Sequence, residues 1–412
     1  MSRRRNEYEK AAELSTVSSV DNSSFNIIRG PTQRLDNITN TDNVLISGQG
    51  TMKLNLLVNL MYKSYTLPII VVSNSQQSRL AACLQNMENA NFSFVRHSGE
   101  SAYYNFLRHK NIQEMLQFFI QIATENGLFE QRRVESEQLL QCILQLSTYS
   151  TNVFSAITNG RLTGEFLQSE INRHQRRLTI AERTSLITMV NSSITAAQNV
   201  SAAFNDLFNI LNNMRGFPFS VKDIIDQKRR VFFCLDGNIT VRNKCWYLTK
   251  MLSYDLCDYL NKSNNEFMLI LDLSNKDKLN LFSDLMGVHN VKVILNIDNA
   301  EYLSENFSAS HFNELYIFSH PDINSAKYWN EYFATHKVAE YTYTSNNNRT
   351  NKYPLLPFSI GSIFGEASQG TSTSYRMIDK PVFEINEIRE LGDAEFIYYN
   401  HTDRKPLKYT MR

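Results

Sequence analysis

Between residues 230 and 318 four short apolar runs follow one another closely, and no other feature limits the fold as strongly. They are Arg230-Val231-Phe232-Phe233-Cys234-Leu235, Glu266-Phe267-Met268-Leu269-Ile270-Leu271-Asp272, Val291-Lys292-Val293-Ile294-Leu295-Asn296 and Glu314-Leu315-Tyr316-Ile317-Phe318. Runs of this length read as buried strands, and helical segments lie between them, at Trp246 to Leu260 and Lys276 to Met286. The alternation predicts an α/β fold with a mostly parallel sheet. Ligands are then expected at the carboxyl ends of the strands.

The same alternation begins earlier in the chain. Val44 to Ile46 reads as a buried strand, Lys53 to Tyr62 as a leucine-rich helix, and Leu67 to Ser73 and Phe92 to Val95 as two further strands. Asn26 to Pro31 reads as a short strand and turn leading in, and residues 1–24 as a polar arm. The loop between the first strand and helix has the outline of a phosphate-binding loop, in Gly48, Gln49, Gly50, Thr51, Met52, Lys53 and Leu54. That pattern asks for glycine, four residues, glycine, lysine, then serine or threonine. With Lys53 as the lysine, Ser47 stands at the first glycine, Met52 at the second and Leu54 at the hydroxyl. Backbone N–H groups and the lysine hold phosphate in such a loop, whereas the hydroxyl holds the metal. Leucine cannot coordinate a hard cation. A plain strand-turn-helix is the competing reading of these residues.

Asp272 closes a buried strand, where a nucleotide-binding sheet places the acid that orients magnesium or its water. The next residue is Leu273, where a hydrolytic enzyme offers a glutamate. An aspartate in that position also serves as an ordinary turn or cap. From about Ala102 to Met214 apolar residues recur at helical spacing, as in Ile112 to Thr124, Glu135 to Leu146 and Ile194 to Leu211, which predicts an all-helical segment. Its basic run, Arg173, His174, Arg176, Arg177 and Arg183, reads as a solvated helix face before it reads as a nucleic-acid contact. Lys228, Arg229, Arg230 and Arg242 flank a strand and are candidates to track phosphates. Boundary residues are the simpler explanation.

The 412 residues, 42% of them hydrophobic, suffice for one large domain or two. With 42 Lys+Arg against 41 Asp+Glu, net charge gives no support to non-specific binding of nucleic acid or membrane. Five scattered cysteines without a CxxC pair indicate a reduced, cytosolic protein with neither disulfide frame nor cysteine zinc site. No stretch of about 18 apolar residues is uninterrupted, so no membrane span is expected, and the Arg-rich start lacks the apolar core of a secretory signal.

The order of these elements resembles the type IV coupling proteins of conjugation, of the TraD kind, within the HerA/FtsK group of RecA-like ring motors. Six stretches carry the resemblance: the lead-in Asn26 to Pro31 with Val44 to Ser47; Gly50-Thr51-Met52-Lys53; Gly216 to Asp223 with Val231 to Asp236; Phe267 to Asp272; His311 to Phe318 with Asp322 and Trp329; and Lys380 to Leu391, ending in Tyr398 and Pro406. The helical segment takes the place of the family's all-α domain. The resemblance implies a RecA-like P-loop NTPase core in two parts, 25–101 and 216–412, interrupted by an all-helical insertion at 102–215.

Active family members have an intact glycine-lysine-threonine loop, an acidic pair after the Walker B strand, and a glutamine after the next strand. Here the corresponding residues are Met52, Lys53 and Leu54, then Asp272 and Leu273, then Asp298 or Asn296. The expectation is a component of conjugative DNA transfer or type IV secretion that keeps the fold with hydrolysis weakened or lost. The resemblance implies ATP and Mg as cofactors, with Asp272 as the magnesium ligand. Its implied partners are DNA, relaxosome or secretion-system proteins, and an oligomer with itself or an active paralogue. The expected location is cytoplasmic, with recruitment to the inner membrane by a partner. The alternatives are an active ATP-dependent DNA translocase and a structural adaptor that uses the core for oligomer contacts.

Overall fold

The computed structural model describes residues 43–63, 66–74, 80, 92–96, 104–128, 132–214, 219–235, 242–333, 335–349, 367–402 and 406–410. The expected polar arm and the Asn26 to Pro31 lead-in lie outside them. Two compact units are present, Met1–Ser319 with Gly392–Arg412, and His320–Leu391.

The first unit opens with β1 (Asn43–Ser47), α1 (Thr51–Lys63), β2 (Ile69–Ser73) and β3 (Phe92–Arg96). Six helices follow: α2 (Ile112–Glu125), α3 (Arg133–Ser147), α4 (Asn152–Thr158), α5 (Gly164–Arg173), α6 (Ile180–Ser193) and α7 (Ala197–Met214). The chain then returns to the alternating pattern with α8 (Val221–Asp226), β4 (Arg230–Cys234), α9 (Arg242–Lys262), β5 (Phe267–Asp272), α10 (Lys276–Asn280), β6 (Val291–Ile297) and β7 (Glu314–Ile317). The second unit consists of α11 (Ile323–Tyr332), β8 (Thr335–Arg349), β9 (Ala367–Pro381) and α12 (Ile385–Arg389). After it, β10 (Glu395–Asn400) and β11 (Leu407–Thr410) rejoin the first.

Among the described residues the main sheet has nine strands, in the order β11-β10-β7-β1-β6-β5-β2-β4-β3. The seven from β7 to β3 run parallel, whereas β10 and β11 are antiparallel additions at one edge. All five residues of β1 and of β2 are buried, as are the first five of β5. Covering on both faces explains why these strands are unbroken apolar runs. Each buried branched side chain contributes roughly 1.5–3 kcal/mol.

Strand order decides what meets at the carboxyl edge. Because β6 pairs with β1 on one side and β5 on the other, the end of β6 lies between the loop after β1 and the aspartate closing β5. In register, Asp272 faces Ser73 on β2 and Asn296 on β6, while Ser47 faces Ile297.

Helices α2 to α7 succeed one another with no strand among the described residues, and they belong to the same compact unit as the sheet. On α7, Phe204, Leu207, Phe208 and Leu211 are fully buried at helical spacing, and Phe119 of α2 meets the Phe204 ring edge-on at 5.0 Å. Three helix starts of this unit carry full capping boxes, Asn111 with Glu114, Thr179 with Glu182, and Ser220 with Asp223.

One expectation is corrected. The helix anticipated over Lys276 to Met286 ends at Asn280, and a short 3-10 turn at Ser283–Leu285 follows. Within the stretch expected to complete the core, His320–Leu391 forms a unit of its own with a fifteen-residue antiparallel pairing of β8 and β9.

Candidate functional site at the carboxyl edge of the sheet

The loop after β1 is a tight turn of Gly48, Gln49 and Gly50 before α1 begins at Thr51. Gly48 has φ +104°, and a Cβ there would stand 2.7 Å from the Phe318 carbonyl oxygen and 2.8 Å from that of Ser319. Only glycine satisfies both the dihedral and the approach. The Gly48 N–H donates to the Ile297 carbonyl at 3.0 Å and the Gln49 N–H to the Ser319 carbonyl at 2.7 Å. Two N–H groups that a phosphate-binding loop would turn toward an anion are therefore spent on neighbouring strand ends.

Lys53 lies in the first turn of α1 and folds back beneath the loop. Its Nζ donates to the Gly48 carbonyl at 2.7 Å, the Ile297 carbonyl at 2.7 Å and Asp298 Oδ1 at 2.8 Å. An ammonium has three donors, and all three are used. Burial lowers the Lys53 pKa, and the Asp298 carboxylate opposes that effect. Thr51 is exposed at the helix start, while Met52 and Leu54 are half-buried and pack against the sheet's core. The positions where a phosphate-binding loop has its second glycine and its hydroxyl are thus packing positions here.

Half-buried Asp272 accepts from Ser73 Oγ at 2.7 Å through Oδ2 and from Asn296 Nδ2 at 2.8 Å through Oδ1. Burial raises its pKa, against these hydrogen bonds and the nearby Lys53. Leu273 beside it is buried. A cleft of about 170 Å³ opens here, lined by Ser73, Asn74, Asp272, Ser274, Asn296 and Asp298 among others. Beside it, Lys278 donates to Asn74 Oδ1 at 3.2 Å and the Leu235 carbonyl at 3.3 Å.

The structure therefore brings together Gly48, Lys53, Asp272 and Asp298 and adds residues not anticipated from sequence: Ser73, Asn74, Ser274 and Lys278. A usable signal existed for Ser73, because it closes the apolar run of β2 as Asp272 closes β5. Asn296 and Asp298 were alternatives for one position, but they have separate partners, Asp272 for the first and Lys53 for the second.

The fit to magnesium and nucleotide is poor in this arrangement. Both Asp272 oxygens have protein donors, Leu54 offers no oxygen, and a phosphate would have to displace Asp298 from Lys53. Among the described residues there is no cluster of three or more acidic, histidine or cysteine side chains suited to a metal.

The basic candidates are dispersed. In the helical segment Arg173 bonds to buried Glu170 at 2.6 Å and Arg183 to Asn172 at 2.9 Å, while Arg176 and Arg177 are exposed in a 3-10 turn with His174 half-buried beside them. Lys228 is exposed with φ +51°, Arg229 lies over the Phe219 ring at 3.7 Å, and Arg230 and Arg242 open β4 and α9. No described helix is long and apolar enough to cross a membrane.

No protein-family model and no curated protein matches the sequence. Solved structures do. The bacterial conjugative coupling protein TrwBdeltaN70 in an unbound monoclinic form matches at 13% identity over 90% of this chain and 84% of its own, with TM-score 0.50. Its trigonal form in complex with sulphate matches at 12% over 90% and 85%, with TM-score 0.52. TrwB in complex with the non-hydrolysable GTP analogue GDPNP gives 12% over 90% and 85%, with TM-score 0.50. At such identity the likeness is one of fold, and the fold is RecA-like α/β as the order of elements predicts.

Proposed function

We propose that this chain is a coupling-protein-like component of conjugative DNA transfer or type IV secretion that acts by binding, with nucleotide turnover weakened or lost. The resemblance in motif order and the shared fold over 90% of the chain support the first part. One observation carries the second: the loop lysine has its three donors saturated inside the protein, by Gly48, Ile297 and Asp298. A lysine so engaged offers a phosphate nothing until one of those contacts breaks.

The other losses point the same way. Without a hydroxyl at residue 54 or a carboxylate at residue 273, a magnesium ion would have Asp272 and phosphate oxygens alone. Missing charge stabilisation of that kind costs several kcal/mol in a hydrolytic barrier, about a thousandfold in rate. On this reading DNA, a relaxosome or secretion-system protein, or an active paralogue in a mixed oligomer is the partner, and the all-helical segment at 102–215 and the core at 25–101 and 216–412 supply its surfaces. Work in the cytoplasm at the inner membrane would follow from such a partner.

Equilibrium binding of ATP, with and without magnesium, to the wild type and to Lys53→Ala tests this, with hydrolysis followed in the same samples. The expected result is no turnover in either protein. Turnover abolished by Lys53→Ala would instead make the chain an active translocase.

A further inference from the structure

The ion pair beneath the loop is asymmetric, and the asymmetry says which partner is movable. The Lys53 side chain is 8% exposed, whereas that of Asp298 is 62% exposed. Lys53 is anchored by its place in α1 and by two backbone carbonyls, Gly48 and Ile297. Asp298 follows the last residue of β6, its Oδ2 has no partner among the described residues, and it borders the cleft of about 170 Å³. The two residues are 245 positions apart, so the contact is made by strand order and not by local chain geometry.

From this we infer that Asp298 is an autoinhibitory occupant of the loop lysine: its carboxylate takes the place of a phosphate-class anion and excludes one. The inference rests on the functional reading above and gives it a cause. A carboxylate oxygen at 2.8 Å from an ammonium makes the same charge-assisted bond that a phosphate oxygen would make. An intramolecular carboxylate also competes at a high effective concentration, so a free anion at ordinary levels loses to it. Because the aspartate is largely in water, its removal leaves no cavity, and the cost falls on Lys53, whose buried charge loses its partner. Lys53 is then left as a buried cation with one donor unfilled, which favours uptake of an anion.

Binding of inorganic triphosphate, followed calorimetrically on the full chain, tests the inference in the wild type, Asp298→Ala and the double variant Asp298→Ala with Lys53→Met. The wild type and the double variant should give no saturable heat, and Asp298→Ala should bind at least about tenfold more tightly than either. Asp298→Asn, which keeps the shape of the side chain without its charge, should move in the same direction by a smaller factor and serves if the alanine variant unfolds. No gain in either variant, or a gain that persists without Lys53, would overturn the inference. Those outcomes leave the proposed function standing, which fails separately, by Lys53-dependent ATP turnover in the wild type.

Discussion

Gly48 shapes the loop that Lys53 folds beneath, and its own carbonyl is one of the two that the lysine reaches, with that of Ile297. Its φ of +104° is forbidden to side chains, and a Cβ would meet backbone oxygens at 2.7 and 2.8 Å that cannot swing away. Gly48→Ala is therefore expected to lose about 2 kcal/mol or more, read as a lower urea midpoint with an unchanged denaturant slope. A variant within about 0.5 kcal/mol of wild type would mean that the loop yields. At this scale the sequence is half legible. A glycine-rich turn ahead of a lysine is visible as a pattern, and Met52 and Leu54 are visible as departures from it. The partner of the lysine is hidden, because Asp298 comes from a distant strand and reads, in sequence, only as a substitute for a glutamine.

Between elements, the loop leading into α2 is bolted to α9 by a buried cluster. Lys110 pairs with Asp255 at 2.6 Å and also with Asp258, while Asp255 accepts from the Tyr104 hydroxyl at 3.0 Å and the Val221 N–H at 3.2 Å. With side chains only 3% and 6% exposed, Lys110 and Asp255 lie out of water, and removing one strands the other. Lys110→Met should cost about 3–5 kcal/mol in chemical denaturation, and the loss should shrink when Asp255→Asn is added. Equal losses in the single and double variants would show that the ion pair is not the source. The neighbouring cap of α8 adds a pH dependence. Burial pushes the Asp223 carboxyl up, but the Ser220 backbone and hydroxyl bonds together with the His109 ring outweigh it and hold the carboxyl below its ordinary 3.8. A depressed aspartate stabilises the fold fully above pH 3.8, and that contribution is lost as the pH falls through the folded value. Ser220→Ala removes the capping hydroxyl, so it should cost about 1 kcal/mol at neutral pH, with the gap from wild type narrowing below pH 3.8. Denaturation at pH 7 and pH 3 would show it; a gap that widens in acid would reverse the assignment.

For the molecule as a whole, β1, β2 and β5 are legible because they are buried on both faces, where composition alone marks them. The order in which they assemble was less accessible, because pairing β6 between β1 and β5 depends on crossovers that leave no local trace. The fifteen-residue strands β8 and β9 are polar and carry no continuous apolar run, so nothing separates them from loop by pattern. The chain leaves at Ser319, whose carbonyl accepts from the Gln49 N–H at 2.7 Å, and it is back by Asp393, whose carbonyl lies 3.5 Å from a Cβ built on Gly50. Ser319 and Asp393, both within the first unit, thus lie beside adjacent residues of one loop, and β7 and β10 run antiparallel with Ile317 facing Ile397. A connection of about four residues spans such a gap. Replacing residues 320–391 by a short Gly-Ser linker should leave the first unit folded, with cooperative unfolding and a midpoint within a few degrees of its transition in the full chain. Loss of the cooperative transition would mean that the sheet does not close without the second unit. Retention would establish the nine-stranded sheet with its helical segment as the self-sufficient body that holds the Lys53 site.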